Sequence, residues 1–288
     1  MSKLLIGADP EFFVAENGKI IPAVGMVDGD KYNPLACLRG AMQVDGLALE
    51  FNINPASDAA EFNRNILTVM KLTLQKARTN TGKKLHVSKD CLHTFPDKVF
   101  RELPDEAKRL GCAASYTPDG ISRIPPSHAA SPVRVVGGHV HIGWTEDADT
   151  KVGSVHYIDC AKLARVMDLL VQARLVLHLQ STMSSDDFSA FCTLERQRKN
   201  RYGRWGEFRP KSYGMEYRSL SNFWIHSEEL RTLVFEYTKE AFEWAENHPS
   251  EVDALYHDYE RPEQLVLQGY HNSYTARAKL EISKRVGA

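Results

Sequence analysis

The sequence has almost no charge imbalance, few cysteines and no long apolar run, and each absence excludes a class of protein. Its 288 residues include 36 Lys and Arg against 37 Asp and Glu. The chain therefore lacks the overall excess of one sign that indicates binding to nucleic acid or to a membrane surface. No apolar run approaches the roughly 20 residues that span a bilayer. The five cysteines are scattered and form no Cys-x-x-Cys pair, which disfavours a disulfide framework and a zinc cluster.

Several nucleotide-binding and catalytic signatures are also missing. The chain contains no Walker A loop, dinucleotide fingerprint, Gly-x-Ser-x-Gly or kinase motif, so any nucleotide would have to be bound by another fold. The N-terminal stretch reaches Asp9 before the apolar core of a signal peptide can form. We therefore expect a cytoplasmic globular protein without a membrane-bound segment.

Hydrophobic periodicity predicts three amphipathic helices, at about residues 59–78, 158–181 and 228–246. Asp58 and Ser227 precede two of them and suit the N-cap position. Between the helices lie strand-like runs, which are Leu4–Val14, Lys19–Ala23, Gln43–Ile53, Val133–Trp144 and Ser212–Ser219. Strands combined with long helices in this way predict an α+β fold with a largely antiparallel sheet.

Three further features complete the predicted organisation. Asn17-Gly18 between two strand-like runs predicts a tight hairpin. Residues 111–132 contain four prolines and little periodicity, which predicts a loop insertion. A further helix is expected after Pro262. No linker divides the chain, so residues 1–288 are interpreted as a single domain.

Four of the predicted strands carry two polar residues separated by one position. Side chains at i and i+2 of a strand point to the same face, so each pair is directed into one space. The pairs are Asp9 and Glu11, Glu50 and Asn52, His139 and His141, and Glu216 and Arg218. One such pair alone is typical of the solvated face of a two-sided strand. Four pairs on a shared sheet predict one face that is rich in carboxylates and imidazoles.

A face of this kind predicts a metal site. Crowded carboxylates repel one another and raise one another's pKa unless a cation lies among them. Ligation mostly by oxygen, with some nitrogen, favours Mg²⁺ or Mn²⁺ over Zn²⁺.

A basic segment precedes the last of these pairs. Between Glu195 and Arg218 there are eight basic residues against three acidic ones. The basic residues are Arg196, Arg198, Lys199, Arg201, Arg204, Arg209, Lys211 and Arg218. Arginine matches phosphate oxygens, and the aromatic residues between them, Tyr202, Trp205, Phe208 and Tyr213, can stack on a base. The segment thus favours a polyphosphate-binding site. The two alternatives are a site for single-stranded nucleic acid and a plain solvated surface.

Four sequence strings, taken in order, resemble a known family. They are GADPEFF at 7–13, DGLALEFN at 45–52, GGHVHIG at 137–143 and YGMEYRSLSNFW at 213–224. The set looks like the phage-encoded carboxylate–amine ligases of type 2, within the glutamine synthetase and glutamate–cysteine ligase superfamily. This resemblance implies a curved antiparallel sheet with helices on its outer face. It also implies ATP-dependent joining of a carboxylate to an amine through an acyl phosphate. A phage origin would place the protein in the host cytoplasm.

The resemblance and the basic segment together predict residue roles. The ligands of Mg²⁺ or Mn²⁺ are predicted to be Asp9, Glu11, Glu50, His139 and Glu216. Catalytic roles are assigned to Arg218, Arg209 and Glu50, and contacts with ATP to His141, Arg204, Lys211 and Asn222. Asp9 stands where many superfamily members have Glu, so the shorter side chain is expected to reach the metal through water. The loops at 111–132 and 196–211 are candidate lids that would keep water from an acyl phosphate.

Two other functions remain open from the sequence. A metal-dependent hydrolase would use the His-x-His pair and the carboxylates without ATP. A nucleic-acid-binding module would use the basic segment, although the balanced charge of the rest of the chain makes this the least favoured interpretation. The expected substrates are a small-molecule or peptide carboxylate and an amine, and the oligomeric state stays open.

Overall fold

The computed structural model describes residues 4–108, 115–118, 122–123 and 131–257. Its architecture is mixed helix and antiparallel sheet, as predicted. The strands are β1 (Leu5–Phe12), β2 (Val14–Glu16), β3 (Lys19–Ile21), β4 (Leu35–Cys37), β5 (Gly40–Asp45), β6 (Ala48–Ile53), β7 (Leu85–Val87), β8 (Leu92–Thr94), β9 (Ser115–Tyr116), β10 (Ser122–Arg123), β11 (Val133–Val135), β12 (Gly138–Gly143), β13 (Phe208–Lys211) and β14 (Gly214–Tyr217).

The α-helices are α1 (Ala59–Thr81), α2 (Asp97–Glu102), α3 (Asp105–Lys108), α4 (Val155–Met167), α5 (Arg174–Thr182), α6 (Ser185–Lys199), α7 (Glu228–Asn247) and α8 (Pro249–His257). A π-helical stretch at Asp168–Ala173 joins α4 to α5, and a 3₁₀-helix at Asn222–His226 precedes α7. All three predicted helices are confirmed. Asp58 and Ser227 cap α1 and α7 as expected, because their side chains accept from the main-chain N–H groups of Glu61 and Leu230.

Among the described residues, the main sheet has nine strands in the order β10-β9-β13-β14-β12-β1-β6-β5-β4. Every strand pair in it is antiparallel. Two small sheets accompany it, one of β3, β2 and β7 and one of β11 and β8. The central strands β12, β1 and β6 each carry one of the four polar pairs. Strand β14 carries Glu216, the first member of the fourth pair. Strand order therefore places these pairs side by side.

Helices cover one face of the main sheet. The even-numbered residues of β1 and β12, such as Ile6, Phe12 and Val140, are buried in the principal apolar core. The same core contains Phe62 and Ile66 of α1 together with residues of α4 and α7. Because side chains alternate along a strand, the odd-numbered residues of β1 and β12 face away from these helices. The polar pairs lie on that second face.

Several local predictions are corrected. The expected strand Gln43–Ile53 is a hairpin of β5 and β6, because Gly46 adopts a left-handed conformation with φ +55° and turns the chain. The expected strand Val133–Trp144 is divided into β11 and β12, which belong to different sheets. The Asn17-Gly18 hairpin is confirmed, with both residues at positive φ.

Helix α6 and strand β13 were not predicted. They occupy both ends of the segment 196–211, which is therefore not a loop lid as a whole. Ser184 caps α6 and Asp186 and Asp187 lie in its first turn, a helix-start signal that was overlooked because the apolar stripe behind it is weak. In the expected insertion at 111–132, the described residues form β9, the edge strand β10 and the start of the approach to β11. The helix expected after Pro262 lies outside the described residues.

Candidate functional site

The register of the sheet brings the polar pairs together. Asp9 of β1 lies opposite His139 of β12, and Glu11 lies opposite Glu50 of β6. On the other side of β12, His141 lies opposite Glu216 of β14. Directly opposite residues in an antiparallel pair have Cβ atoms about 4.5–5.5 Å apart. The four strands thus supply one continuous polar surface.

A cavity of about 840 Å³ lies over this surface. Eight of the predicted site residues line it, namely Asp9, Glu11, Glu50, His139, His141, Arg209, Lys211 and Arg218. Asn52, the second member of its pair, also lines it. Glu216 lies beneath these residues and has no exposed surface. The predicted residues therefore converge, with two exceptions described below.

Asp9 is the meeting point of the two histidines. Its Oδ1 atom is 3.1 Å from His139 Nδ1 and 3.0 Å from His141 Nε2. Burial alone would raise the pKa of Asp9, but the imidazoles of His141 and His139 outweigh it and hold that pKa well below its ordinary value. Burial and the nearby Arg218 guanidinium lower the pKa of His139 to about 4. His139 is therefore neutral at neutral pH, which is the form that can ligate a metal.

Three cations converge on the carboxylate of Glu216. Arg209 Nη1 and Lys211 Nζ each lie 3.0 Å from Glu216 Oε2, and Arg218 Nη1 contacts Oε1. A fully buried carboxylate is stable only when opposite charges or hydrogen bonds compensate its lost hydration. Burial, followed by the neighbouring Arg209, lowers the pKa of Lys211 to about 8. The cation set, defined as Arg209, Lys211 and Arg218, is thus held in place by one acidic residue.

Two groups of three side chains have the spacing that metal ligation requires. The first comprises Asp9, His141 and Glu216, and the second Glu11, Asp45 and Glu50, with the ligand atoms in each group within 4.8 Å of one another. His139 was predicted as the ligand and His141 as the ATP contact. The structure places His141 in the first group, while His139 Nδ1 also reaches Glu216 Oε1 at 3.5 Å. Both imidazoles therefore face the same ligand position.

The second group, here called the acidic group, holds three crowded carboxyls. Burial, followed by repulsion from Asp45, raises the pKa of Glu11 to about 8, although the Gly137 N–H donates to Glu11 Oε2 at 2.8 Å. Burial and the charge of Asp9 raise the pKa of Glu50 well above its ordinary value. Burial also raises the pKa of Asp45. These shifts are the electrostatic signature of a site that lacks sufficient positive charge.

Part of the cavity lining is apolar. Leu5, Pro55 and Trp144 contribute to it next to Gly7 and Gly143, whereas Thr145 and Glu146 beside Trp144 are polar. A methyl group on Gly7 would have its nearest neighbour, His141 Cβ, at 3.6 Å, which is an ordinary van der Waals distance. Packing therefore does not require glycine at this position. The missing side chain instead keeps the cavity floor flat and open.

Two predicted ATP contacts do not reach the cavity. Arg204 and Asn222 are absent from the residues that line it. The main chain of Arg204 contacts Glu207 and Ser219 in the turn before β13. Asn222 is fully buried at the start of the 3₁₀-helix. The basic segment predicts the contact of Arg204 and the resemblance that of Asn222, but the turn and the 3₁₀-helix direct the chain away from the polar face.

The basic segment is not a single cationic surface. Arg198 is fully buried and donates to the carbonyl oxygens of Val136, Ser219 and Leu220, and Lys199 donates to those of Gly203 and Ser219. The cation set contacts Glu216. The aromatic residues Trp205 and Phe208 are buried as well, so they do not present faces for base stacking.

No protein-family model and no curated protein sequence matches this chain. In the described part of the chain, no helix combines the length and the apolarity needed to cross a membrane.

The structure adds site residues that the sequence reasoning did not assign. Gln43 donates to Glu50 Oε2 at 2.7 Å, and Asp45 completes the acidic group. These two residues are themselves separated by one position on β5, so the rule used for the other pairs would have found them. Tyr202 and Tyr213 contact the histidines. Both tyrosines lie in turns, and the periodicity of strands and helices does not predict where a turn places its side chains.

Proposed function

We propose that this protein is an ATP- and Mg²⁺-dependent carboxylate–amine ligase that forms an amide or peptide bond through an acyl phosphate. The observation that carries the proposal is the placement, on one sheet face, of two carboxylate-rich ligand groups beside three cations. The antiparallel sheet with helices on one face supports a glutamine synthetase-like catalytic domain. The substrates are a carboxylate and an amine, whether small molecules or peptides.

The two ligand groups fit divalent cations. Five of their six members are carboxylates, and oxygen-rich ligation suits Mg²⁺ or Mn²⁺. The raised pKa values of Glu11, Asp45 and Glu50 indicate that a bound cation would relieve repulsion that the protein itself leaves uncompensated. Held by these residues, such ions would neutralise the negative charge of bound phosphate groups.

The cation set fits the phosphate chain of a nucleotide. Phosphoryl transfer depends on positioning and charge stabilisation more than on covalent help from the protein. Arg209, Lys211 and Arg218 adjoin the first ligand group through Glu216. Arginine and lysine in this position would bind phosphate oxygens and stabilise the charge that develops on the transferred phosphoryl group.

The volume of the cavity suits a small-molecule ligand. Binding pockets for small molecules commonly measure roughly 300–1,000 Å³, and this cavity, at about 840 Å³, lies in the upper part of that range. A planar purine fits the end of the cavity at Gly7, Gly143 and Trp144, since aromatic side chains stack on bases. The acidic group lies toward the other end, where the acid and the amine would meet.

The reaction itself is tested with labelled oxygen. A carboxylate oxygen attacks the γ-phosphorus and ADP leaves. The amine then attacks the acyl carbon and loses a proton, and phosphate leaves with the original carboxylate oxygen and takes up that proton. Purified protein is incubated with ATP, Mg²⁺ and a panel of ¹⁸O-labelled acids and amines. We expect ADP release only when an acid and an amine are both present, with one ¹⁸O atom in each phosphate released.

A variant in the site is compared with a matched variant on the surface. Removing a preorganised charge that stabilises a transition state lowers kcat by about 100-fold or more, and we expect this for Arg209→Met. Glu240→Gln is the control, because Glu240 forms only a surface ion pair with Arg174 among its described contacts. Turnover of esters or amides without ATP, together with a tightly held transition metal, would instead identify a metal-dependent hydrolase. Absence of ATP binding and of stimulated ADP release would reject the ligase.

A further inference from the structure

Each histidine of the site has a polar side chain close to both of its ring nitrogens. One nitrogen of each, Nδ1 of His139 and Nε2 of His141, faces Asp9 Oδ1 at 3.1 and 3.0 Å. The other nitrogen faces a tyrosine hydroxyl: Tyr202 lies 2.8 Å from His139 Nε2, and Tyr213 contacts His141 Nδ1. The two imidazoles are thus inserted between one carboxylate and two phenols.

We propose that Tyr202 and Tyr213 are positioning residues that fix the orientation and the proton of the two histidines, so that both present a lone pair to a divalent cation at Asp9. This inference rests on the metal site of the proposed function. A histidine that ligates a metal usually donates its second N–H to an oxygen, and that partner sets both the tautomer and the ring orientation. A tyrosine hydroxyl is suited to this because it both accepts and donates.

The surroundings of Tyr202 are built to place its hydroxyl. Tyr202 follows α6, and its N–H donates to the carbonyl of Arg198 at 2.8 Å. The buried Arg198 guanidinium ties this turn to the carbonyl of Val136 before β12 and to those of Ser219 and Leu220 after β14. Gly203 follows at φ +69°, where a Cβ would lie 2.3 Å from Arg198 Nη1. Only glycine allows the turn to pass this close to the guanidinium.

Tyr202 also connects the histidines to the cation set. Arg218 Nη2 donates to the Tyr202 hydroxyl, and the Arg218 guanidinium carbon lies 5.1 Å from the centre of the Tyr202 ring. The same hydroxyl therefore touches a candidate metal ligand and a candidate phosphate ligand. Tyr213 belongs to the turn between β13 and β14, and its carbonyl accepts from the N–H groups of Trp144 and Thr145. Main-chain hydrogen bonds thus hold the turn behind His141.

The proposal makes a specific statement about tautomers. If the nitrogens that face Asp9 bind the cation, His139 carries its proton on Nε2 and His141 carries its proton on Nδ1. The two histidines are only two residues apart on β12, yet they adopt opposite tautomers. Correlation spectra of ¹⁵N-labelled histidine distinguish the two forms directly. We expect opposite tautomers in the Mg²⁺-loaded wild-type protein, and finding the same tautomer for both would overturn the proposal without any variant.

The variants Tyr202→Phe and Tyr213→Phe remove one hydroxyl each. Loss of such a partner behind a ligating histidine typically weakens metal binding 10- to 100-fold. Calorimetric titration with Mn²⁺ alone measures this in the absence of ATP. Tyr217→Phe is the matched control: its hydroxyl donates to Asp168 Oδ1 at 2.6 Å on the opposite face of the sheet. We expect this control to lower thermal stability while leaving Mn²⁺ affinity unchanged.

The outcomes separate this inference from the proposed function. Folded Tyr202→Phe and Tyr213→Phe proteins that bind Mn²⁺ as tightly as wild type would overturn the positioning role, and the ligase could still stand. Weakened Mn²⁺ binding together with opposite tautomers would support the positioning role even if no acid and amine ever stimulated ADP release.

Discussion

Replacing Glu11 by Gln should remove a large part of the pH dependence of stability in the metal-free protein. The pKa of Glu11 is raised from 4.5 to about 8, first by burial and then by repulsion from Asp45. Between these values the folded protein binds a proton that the unfolded chain has released. The unfolding free energy therefore falls as the pH rises from about 4.5 to 8, and the lost stability is recovered at low pH.

The size of the effect follows from the shift. Each pKa unit corresponds to about 1.4 kcal/mol, so a shift of roughly 3.5 units gives at most about 5 kcal/mol above pH 8. Glutamine has the shape of protonated Glu11 and can still accept from the Gly137 N–H. It also removes a charge that raises the pKa of Glu50. In a domain of this size, such a difference corresponds to a change in Tm of roughly 10–20 °C.

Urea unfolding in EDTA at about pH 5 and pH 8.5 measures this. We expect the two proteins to be similar at pH 5 and Glu11→Gln to be the more stable at pH 8.5. Added Mg²⁺ should then stabilise wild type more than the variant. Titrating groups that do not interact with Glu11 cancel in the difference, and the lower pKa of Glu50 in the variant acts in the same direction as the loss of Glu11. Glu240→Gln, which neutralises a surface glutamate, should follow the wild-type profile. Equal slopes for wild type and Glu11→Gln would refute the account of the acidic group.

Three further changes test other parts of the site. Glu216→Gln leaves three facing cations without their carboxylate, so we expect a loss of about 3–5 kcal/mol in urea unfolding, partly restored by pyrophosphate. Trp144→Ala should weaken ATP binding by calorimetry about tenfold, as loss of base stacking does, whereas unchanged affinity would place the base elsewhere. Arg198→Met leaves three main-chain carbonyls without their donor, and at 1 kcal/mol or more each we expect about 3 kcal/mol or more of destabilisation. A stability equal to wild type would show that water replaces the guanidinium.

Local patterns in the sequence were sufficient for α1, for the helical run from α4 to α5, for α7, and for eight of the residues that line the cavity. The alternation along β1 separates Asp9 and Glu11 from the buried Ile6 and Phe12 because strand side chains repeat every two residues. Helix α1 follows from its apolar spacing and the Asp58 cap. The same rule failed for Gln43–Ile53 because the Asp45-Gly46 turn signal was passed over. A phage origin and a cytoplasmic location stay predictions.

Tertiary structure decided which of these residues meet. His139 reaches Asp9 across 130 positions of chain, and Glu216 collects Arg209, Lys211 and Arg218. Strand order and register depend on how whole faces pack, and no local period encodes them.

The basic segment likewise shows that the sequence does not reveal which residues meet in the fold. The sequence presents eight similar cations, but only the fold buries Arg198 and Lys199 under main-chain carbonyls while it aims others at the cavity. One basic residue of this segment cannot be distinguished from the next in the sequence. The role of each is set by its burial and by the partners that the folded chain provides. The sequence by itself determined which carboxylates, imidazoles and cations are available. The tertiary structure determined which groups share a site, because contacts between distant strands exist only once the sheet has formed.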